Sequence, residues 1–151
     1  MYPSKENKRA SLKKHKNFKL KPVLSWKTRI FDIKQLKADT PVGYGCTYRT
    51  TKNTKMALIP VGYYEGLDRG LSNNGWVIIK NQKCPIIANV CMNITMINVS
   101  KIKDVKIGDE VILMGQSKNN CVFADDIANT LGTINYEITT RLNDNILRIL
   151  K

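Results

Sequence analysis

From Pro22 to Val122 this chain never sustains an apolar repeat of 3.6 residues. Its hydrophobic residues come in runs cut short by clusters of Gly, Asn, Asp and Pro, the pattern of strands separated by turns. Val23 to Leu36, rich in Val, Leu, Trp, Ile and Phe, reads as one long strand, bent or straight. Ala38-Asp39-Thr40-Pro41 then supplies a turn. Lys55 to Val61 makes a strand closed by Gly62, and Trp76–Lys80 with Lys83–Ala88 makes a hairpin about Asn81-Gln82. Val90 to Val99 is a further strand with Met92, Ile94 and Met96 on one face, and residues 105–113 read as a turn entering a strand. Helical spacing is confined to the end. Asp125–Leu131 stops at Gly132, and Thr133 caps a second helix with Ile134, Ile138 and Leu142 at i, i+4, i+8. Ile146–Leu150 reads as a last strand. Such an order predicts a mainly β chain, a small barrel or sandwich with two short C-terminal helices.

Charge and cysteine usage narrow the function classes. The formal net charge is +13, but residues 1–22 hold eight Lys or Arg against Glu6 alone and so account for +7 of it. The excess belongs largely to a leader, which reads as a solvated basic arm or connection rather than a nucleic-acid surface. Cysteines 46, 84, 91 and 121 form no CxxC pair, and the single histidine, His15, sits inside the lysine-rich leader. No metal site is expected, and four reduced thiols suit a cytoplasmic protein. No apolar run reaches the roughly 20 residues of a membrane helix, and no signal-peptide pattern opens the chain.

Two segments carry chemistry. Val42-Gly43-Tyr44-Gly45-Cys46-Thr47-Tyr48 and Pro60-Val61-Gly62-Tyr63-Tyr64-Glu65-Gly66 each read as a strand end with a tyrosine beside glycine. Glycine removes the neighbouring side chain, so backbone or ligand approaches the phenol closely. A free phenol, with a pKa of about 10, is a poor base at neutral pH unless a cation or a fixed hydrogen bond assists it. Taken alone, such a tyrosine is better explained as a half-buried strand aromatic. Residues 65–75 form a glycine-rich polar loop with Arg69 at its centre. The set can bind a small anion and move a proton; it contains no GxSxG, HExxH, P-loop or dinucleotide fingerprint.

These segments, in this order, resemble the carboxyl-terminal domain of alanine racemases. The likeness runs through Pro22–Ile30, Val42–Tyr48 and Pro60–Gly66 with Asp68-Arg69 and Leu71-Ser72-Asn73. It continues through Pro85-Ile86 to Val90-Cys91-Met92-Asn93 and ends in Gly132-Thr133-Ile134-Asn135-Tyr136-Glu137. The resemblance implies a pyridoxal 5'-phosphate enzyme of fold type III, built from an α/β barrel and a β domain and working as a head-to-tail dimer. It implies Tyr44 as the catalytic base facing a barrel lysine, with Tyr63 and the Met92 backbone lining the substrate pocket. It further implies Tyr136 as a ligand of the cofactor phosphate, and Arg69 and Ile134 along the passage into the site.

The resemblance also has gaps. Family members commonly have Cys-Met-Asp where Asn93 follows Cys91-Met92, and an arginine where this chain has Asn89. Gly-Tyr-Ala-Asp-Gly becomes Gly62-Tyr63-Tyr64-Glu65-Gly66. No segment could form a barrel of about 200 residues, and no lysine stands in the Schiff-base context. Residues 1–21 are then expected to be the connection from a barrel, with Met1-Tyr2-Pro3-Ser4 resembling the loop that leaves it, and residues 22–151 the β domain. Alone, the chain is expected to be inactive, completing a site on a barrel domain. The alternatives are a non-catalytic basic β binding module and a decayed remnant.

Overall fold

The computed structural model describes residues 21–150, so the basic leader, apart from Lys21, lies outside the described residues. Among the described residues ten strands precede two helices: β1 Trp26–Arg29, β2 Asp32–Leu36, β3 Pro41–Val42, β4 Tyr48–Arg49, β5 Thr54–Ile59, β6 Trp76–Ile79, β7 Gln82–Ile87, β8 Thr95–Asn98, β9 Glu110–Gln116 and β10 Cys121–Val122. The helices are α1, Ala124–Leu131, and α2, Asn135–Thr140.

The main sheet runs β1-β9-β6-β7-β8-β5-β2, with β10 added beside β9 and β3–β4 as a separate ribbon. All of its pairings are antiparallel. Its two ends, β1 and β2, are separated in the chain only by Ile30 and Phe31, so the sheet has to curl until they meet. Ile30 N–H bonds the Asp109 carbonyl at one end, and Phe31 N–H bonds the Leu58 carbonyl at the other. The long first strand anticipated from Val23 to Leu36 is therefore real but broken at its bend. A sheet curled in this way encloses its own core. Ile59, Ile79, Ile97, Leu113 and Met114 fill it with virtually no exposure, and Ile127, Ala128 and Ile138 from the helices pack against them. Each fully buried aliphatic side chain contributes about 1.5–3 kcal/mol. A smaller second cluster, Val42, Met56, Ile87, Ala88 and Met96, lies beside β3.

Local sequence explains most boundaries. Lys80 and Asn81 both take positive φ, 46° and 60°, which closes the β6–β7 hairpin with a two-residue turn, one residue earlier than expected. The Asp126 carboxylate reaches back 2.8 Å to Phe123 N–H and caps α1, and Gly132 in the left-handed region (φ 71°) ends it. Asn135, nearly buried, donates to Asp125 and ties α2 to α1.

Four expectations need correction. The strand foreseen over Val90–Val99 is confined to Thr95–Asn98, because residues 90–94 turn to meet the Tyr63 loop. Met92, Ile94 and Met96 consequently do not share a face: Met96 is in the core while the other two are exposed. Ile146–Leu150 forms no strand; Leu147, Ile149 and Leu150 are exposed, and an apolar run needs a partner edge to become one. Finally, α2 begins after Ile134, whose side chain is exposed rather than stacked with Ile138, and the Thr133 hydroxyl bonds the Glu137 carboxylate instead of a helix N–H.

Candidate functional site

Tyr44 does not end a strand. It begins a single 3₁₀ turn, Tyr44–Cys46, between β3 and β4. Gly43 (φ 73°) and Gly45 (φ 76°) both sit where L side chains are strained, and Cys46 N–H bonds back to the Gly43 carbonyl at 3.2 Å. A Cβ on Gly43 would come 2.6 Å from the Ala88 Cβ, so the turn rests directly on the smaller core cluster. Two amides hold it from the side. Asn89 Nδ2 donates to the Tyr44 carbonyl at 3.0 Å. Asn73 Nδ2 donates to the Thr47 carbonyl at 3.3 Å while its Oδ1 accepts from Ala88 N–H at 2.7 Å. The turn is thus fixed from below and beside, and its tyrosine stands 80% exposed.

Tyr63 lies in the turn that follows β5 and is zipped to the segment before β8. Tyr63 N–H bonds the Cys91 carbonyl and Tyr64 N–H the Met92 carbonyl, each at 3.0 Å. Gly62 permits that approach, for a Cβ there would overlap both carbonyl oxygens and sit 2.6 Å from the Met92 carbonyl carbon. Thr95 Oγ1, fully buried, donates to the Val61 carbonyl at 2.7 Å, and Ser72 Oγ accepts from Val90 N–H at 3.0 Å. Glu65 stitches the same two segments, accepting from Gly62 N–H at 2.7 Å through Oε2 and from Asn93 Nδ2 at 2.8 Å through Oε1. Met92, half exposed, gives its carbonyl to Tyr64, while its N–H donates to no acceptor among the described residues.

The end of α2 joins the cluster through the Glu65–Asp68 loop. Asn143 Nδ2 donates to the Tyr64 carbonyl at 2.9 Å, and its N–H to the Glu65 carbonyl at 3.3 Å. Arg141 pairs with both Asp68 and Glu137. Tyr136 and Ile134, at the other end of α2, are exposed, as is Arg69 in the short 3₁₀ turn after Asp68. Hydrogen bonds thus join the Tyr44 turn and the Tyr63 loop to the Met92 segment, and Arg141 and Asn143 tie the end of α2 to the 64–68 loop; Ile134 and Tyr136 stand at the start of that helix. The hydrogen-bonding skeleton of the cluster is largely amides and hydroxyls, Asn73, Asn89, Asn143, Ser72 and Thr95. Asn73 stood in a matching motif and Asn89 at a departure from it; Asn143 and Thr95 gave no sequence signal, since side chains of that kind look like ordinary turn and strand residues. The two departures at 65 and 93 are hydrogen-bonded to each other.

Residues 23–150 match the family model for the alanine racemase C-terminal domain. The chain belongs to the alanine racemase family. It is 47% identical over 136 residues to an alanine racemase from Leptospira interrogans, covering 90% of this chain and 35% of the relative. Among solved structures it resembles the alanine racemase of Bacillus anthracis with bound L-Ala-P (TM-score 0.83, 32% identity, 95% of this chain and 35% of that one). It also resembles that of Bartonella henselae with covalently bound pyridoxal phosphate (TM-score 0.80, 29% identity, 86% and 35%). The chain spans about a third of the length of the curated relatives it matches. The mainly β fold with two helices is that of the C-terminal domain in these enzymes, and the rest of each relative lies in regions this chain does not match.

The donor chemistry of the cluster can be tested against pyridoxal phosphate. A phenol such as Tyr136 suits a phosphate, and an open main-chain N–H such as that of Met92 suits a carboxylate. The segments 43–47, 61–75, 88–94 and 132–143 contain no lysine, so no amine stands there to hold the aldehyde carbon. The residues fit one side of such a site.

Proposed function

We propose that this chain forms one face of the active site of an alanine-racemising enzyme, with the other face supplied by an α/β barrel domain. The observation that supports the reading is that the Tyr44 turn and the Tyr63 loop both bond to residues 89–92, with both tyrosines exposed and the Met92 N–H without an acceptor among the described residues. Racemisation removes the α-proton from one face of the substrate carbon and returns it to the other. Two proton-transfer groups on opposite faces meet that need, and a second domain most readily provides the second.

Tyr44 is the proton-transfer group of this face. Its hydroxyl gives or takes the proton at the substrate α-carbon, and the cation that would make it effective near neutral pH comes from the barrel. The Met92 N–H binds the substrate carboxylate, with Tyr63 beside it. Tyr136 holds the phosphate of pyridoxal 5'-phosphate, which when bound supplies the electron sink that acidifies the α C–H. Arg69 and Ile134 border the passage to the site. Residues 1–21 connect to the barrel, residues 22–151 are the domain, and the completed enzyme is a cytoplasmic dimer.

Racemisation of alanine, followed by the change in optical rotation with pyridoxal phosphate present, tests this on the chain alone and mixed with a racemase barrel domain. Activity is expected only in the mixture. In that mixture Tyr44→Phe, which removes one hydroxyl and keeps the ring, is expected to abolish turnover. Turnover from the chain alone, or an unimpaired Tyr44→Phe mixture, would overturn the assignment.

A further inference from the structure

We propose that Glu65 and Asn93 act as a matched positioning couple that sets the register of Tyr63 against Met92, the longer Glu65 carboxylate reaching the amide at 93 where family members commonly carry Asp at both positions. The proposal deepens the racemase reading, on which its link to substrate binding rests.

The carboxylate of Glu65 divides its two oxygens between two loops. Oε2 takes Gly62 N–H from its own loop, and Oε1 takes the Asn93 side-chain amide from the loop that carries Met92. Between these contacts run the two 3.0 Å backbone bonds from Tyr63 and Tyr64 to Cys91 and Met92. An ionised carboxylate accepts and cannot donate, so whatever faces Oε1 has to donate. Asn93 does so without adding charge, and its backbone adjoins the Met92 carbonyl that Tyr64 engages. The side-chain bond therefore closes the same zipper from its outer end. Because the Glu65 carboxylate, one methylene longer than the aspartate common at that position, reaches to 2.8 Å from the Asn93 side chain, a carboxylate at 93 would set two anions at hydrogen-bond distance and push the Met92 segment away from Tyr63. Glu65 also takes Asn143 N–H on its carbonyl, so the couple is anchored to the segment after α2 as well.

This makes a specific exchange prediction. Asn93→Asp opposes two carboxylates. Glu65→Gln leaves one oxygen to serve two donors. With both changes made, the new amide oxygen at position 65 accepts from Gly62 N–H while its NH₂ group donates to the new carboxylate at position 93. That reverses the direction of the bond and restores it.

The test is a four-protein set, the chain itself, Asn93→Asp, Glu65→Gln and the double variant. The first readout is amide hydrogen exchange at Tyr63 and Tyr64 by NMR, which needs neither cofactor nor barrel. Each single variant is expected to speed exchange by about tenfold, the loss of roughly one charge-assisted hydrogen bond, and the double variant to return it to within about twofold of the parent. Exchange unchanged in Asn93→Asp, or a double variant no better protected than the singles, overturns the couple. The second readout is alanine turnover after mixing with a barrel domain. KM is expected to rise by about tenfold in the single variants, more than kcat falls, and to recover in the double. An inactive parent mixture counts against the racemase reading while the exchange data still decide the couple. Altered exchange with unaltered KM would remove its role in substrate binding.

Discussion

Replacing Gly62 by alanine probes the tightest contact in the cluster. The φ of Gly62 lies outside the left-handed region, so alanine is conformationally acceptable there and the cost is steric. The new Cβ would sit 2.6 Å from the Met92 carbonyl carbon, whereas carbon atoms in contact rest about 3.5–4.0 Å apart. The two segments would have to separate by about 1 Å, which takes the 3.0 Å bonds from Tyr63 and Tyr64 out of hydrogen-bond range. Two neutral bonds at about 1 kcal/mol each, and the charge-assisted Asn93–Glu65 bond across the same gap at about 1.5 kcal/mol, sum to about 3–4 kcal/mol. At about 2–4 °C per kcal/mol for a domain of this size, Tm is expected to fall by roughly 6–16 °C. Gly108→Ala is the control: its Cβ would meet nothing within 4 Å, and its φ of 88° exacts only the backbone cost of about 1–2 kcal/mol. Circular-dichroism melts of both variants, with hydrogen exchange at Tyr63 and Tyr64, decide the matter. A Gly62→Ala protein that melts no lower than Gly108→Ala, with both amides still protected, would refute the steric argument.

Thr95→Val keeps the shape of a fully buried side chain but leaves the Val61 carbonyl without its 2.7 Å donor, so a loss of about 1–2 kcal/mol in urea unfolding is expected. Asn73→Ala removes the bridge between Ala88 N–H and the Thr47 carbonyl; faster exchange at Ala88 and a loss of about 1–2 kcal/mol should accompany it. Burial pushes the Cys84 thiol up to about 11, against the pull of its hydrogen bond to the Ile79 backbone. The folded protein therefore keeps its proton where the unfolded chain has lost it. Stability from this group is full below about pH 9 and declines by about 2–3 kcal/mol as pH rises through 11, a slope that Cys84→Ala should flatten in urea melts. Because Tyr44 is exposed, Tyr44→Phe should leave the unfolding free energy within about 0.5 kcal/mol.

The fold was legible where local chemistry dictates it. Runs such as Thr54–Ile59, mostly apolar, and Trp76–Ile79, aromatic and β-branched, are bounded by turn residues, and both are strands. Gly132 stops α1 because only a residue tolerant of φ 71° can do so cheaply. Legibility failed where a distant partner decides. Residues 90–94 carry a good strand pattern, yet Gly62 and Glu65, some thirty positions earlier, capture them into a loop. Ile146–Leu150 carries one as well but has no edge to join. Of the candidate site, the sequence supplied the tyrosines and glycines through their motifs. The run of strands and turns predicts a barrel or sandwich, but the strand order that places β1 and β2 at the two ends of the sheet came only with the structure, and so did the amide braces from Asn89 and Asn143.

The way the cluster is built bears on how it could be completed. The backbone of its loops is satisfied largely within this chain: glycines allow the approach, and asparagine, serine, threonine and Glu65 side chains bridge the loops. A surface so braced does not need its partner in order to form. It does constrain the partner, because whatever covers Met92 has to return an acceptor to that open N–H or leave a buried donor unsatisfied, at about 1–3 kcal/mol. The exposed rings of Tyr44, Tyr63 and Tyr136 add apolar area with a polar tip, the kind of side chain that is dry on one side and hydrogen-bonded on the other. On the proposed function, a substrate carboxylate would meet the first demand and a docked barrel the second. The same braced cluster would therefore serve recognition of the small molecule and of the larger domain, and a variant that loosens it should weaken both together.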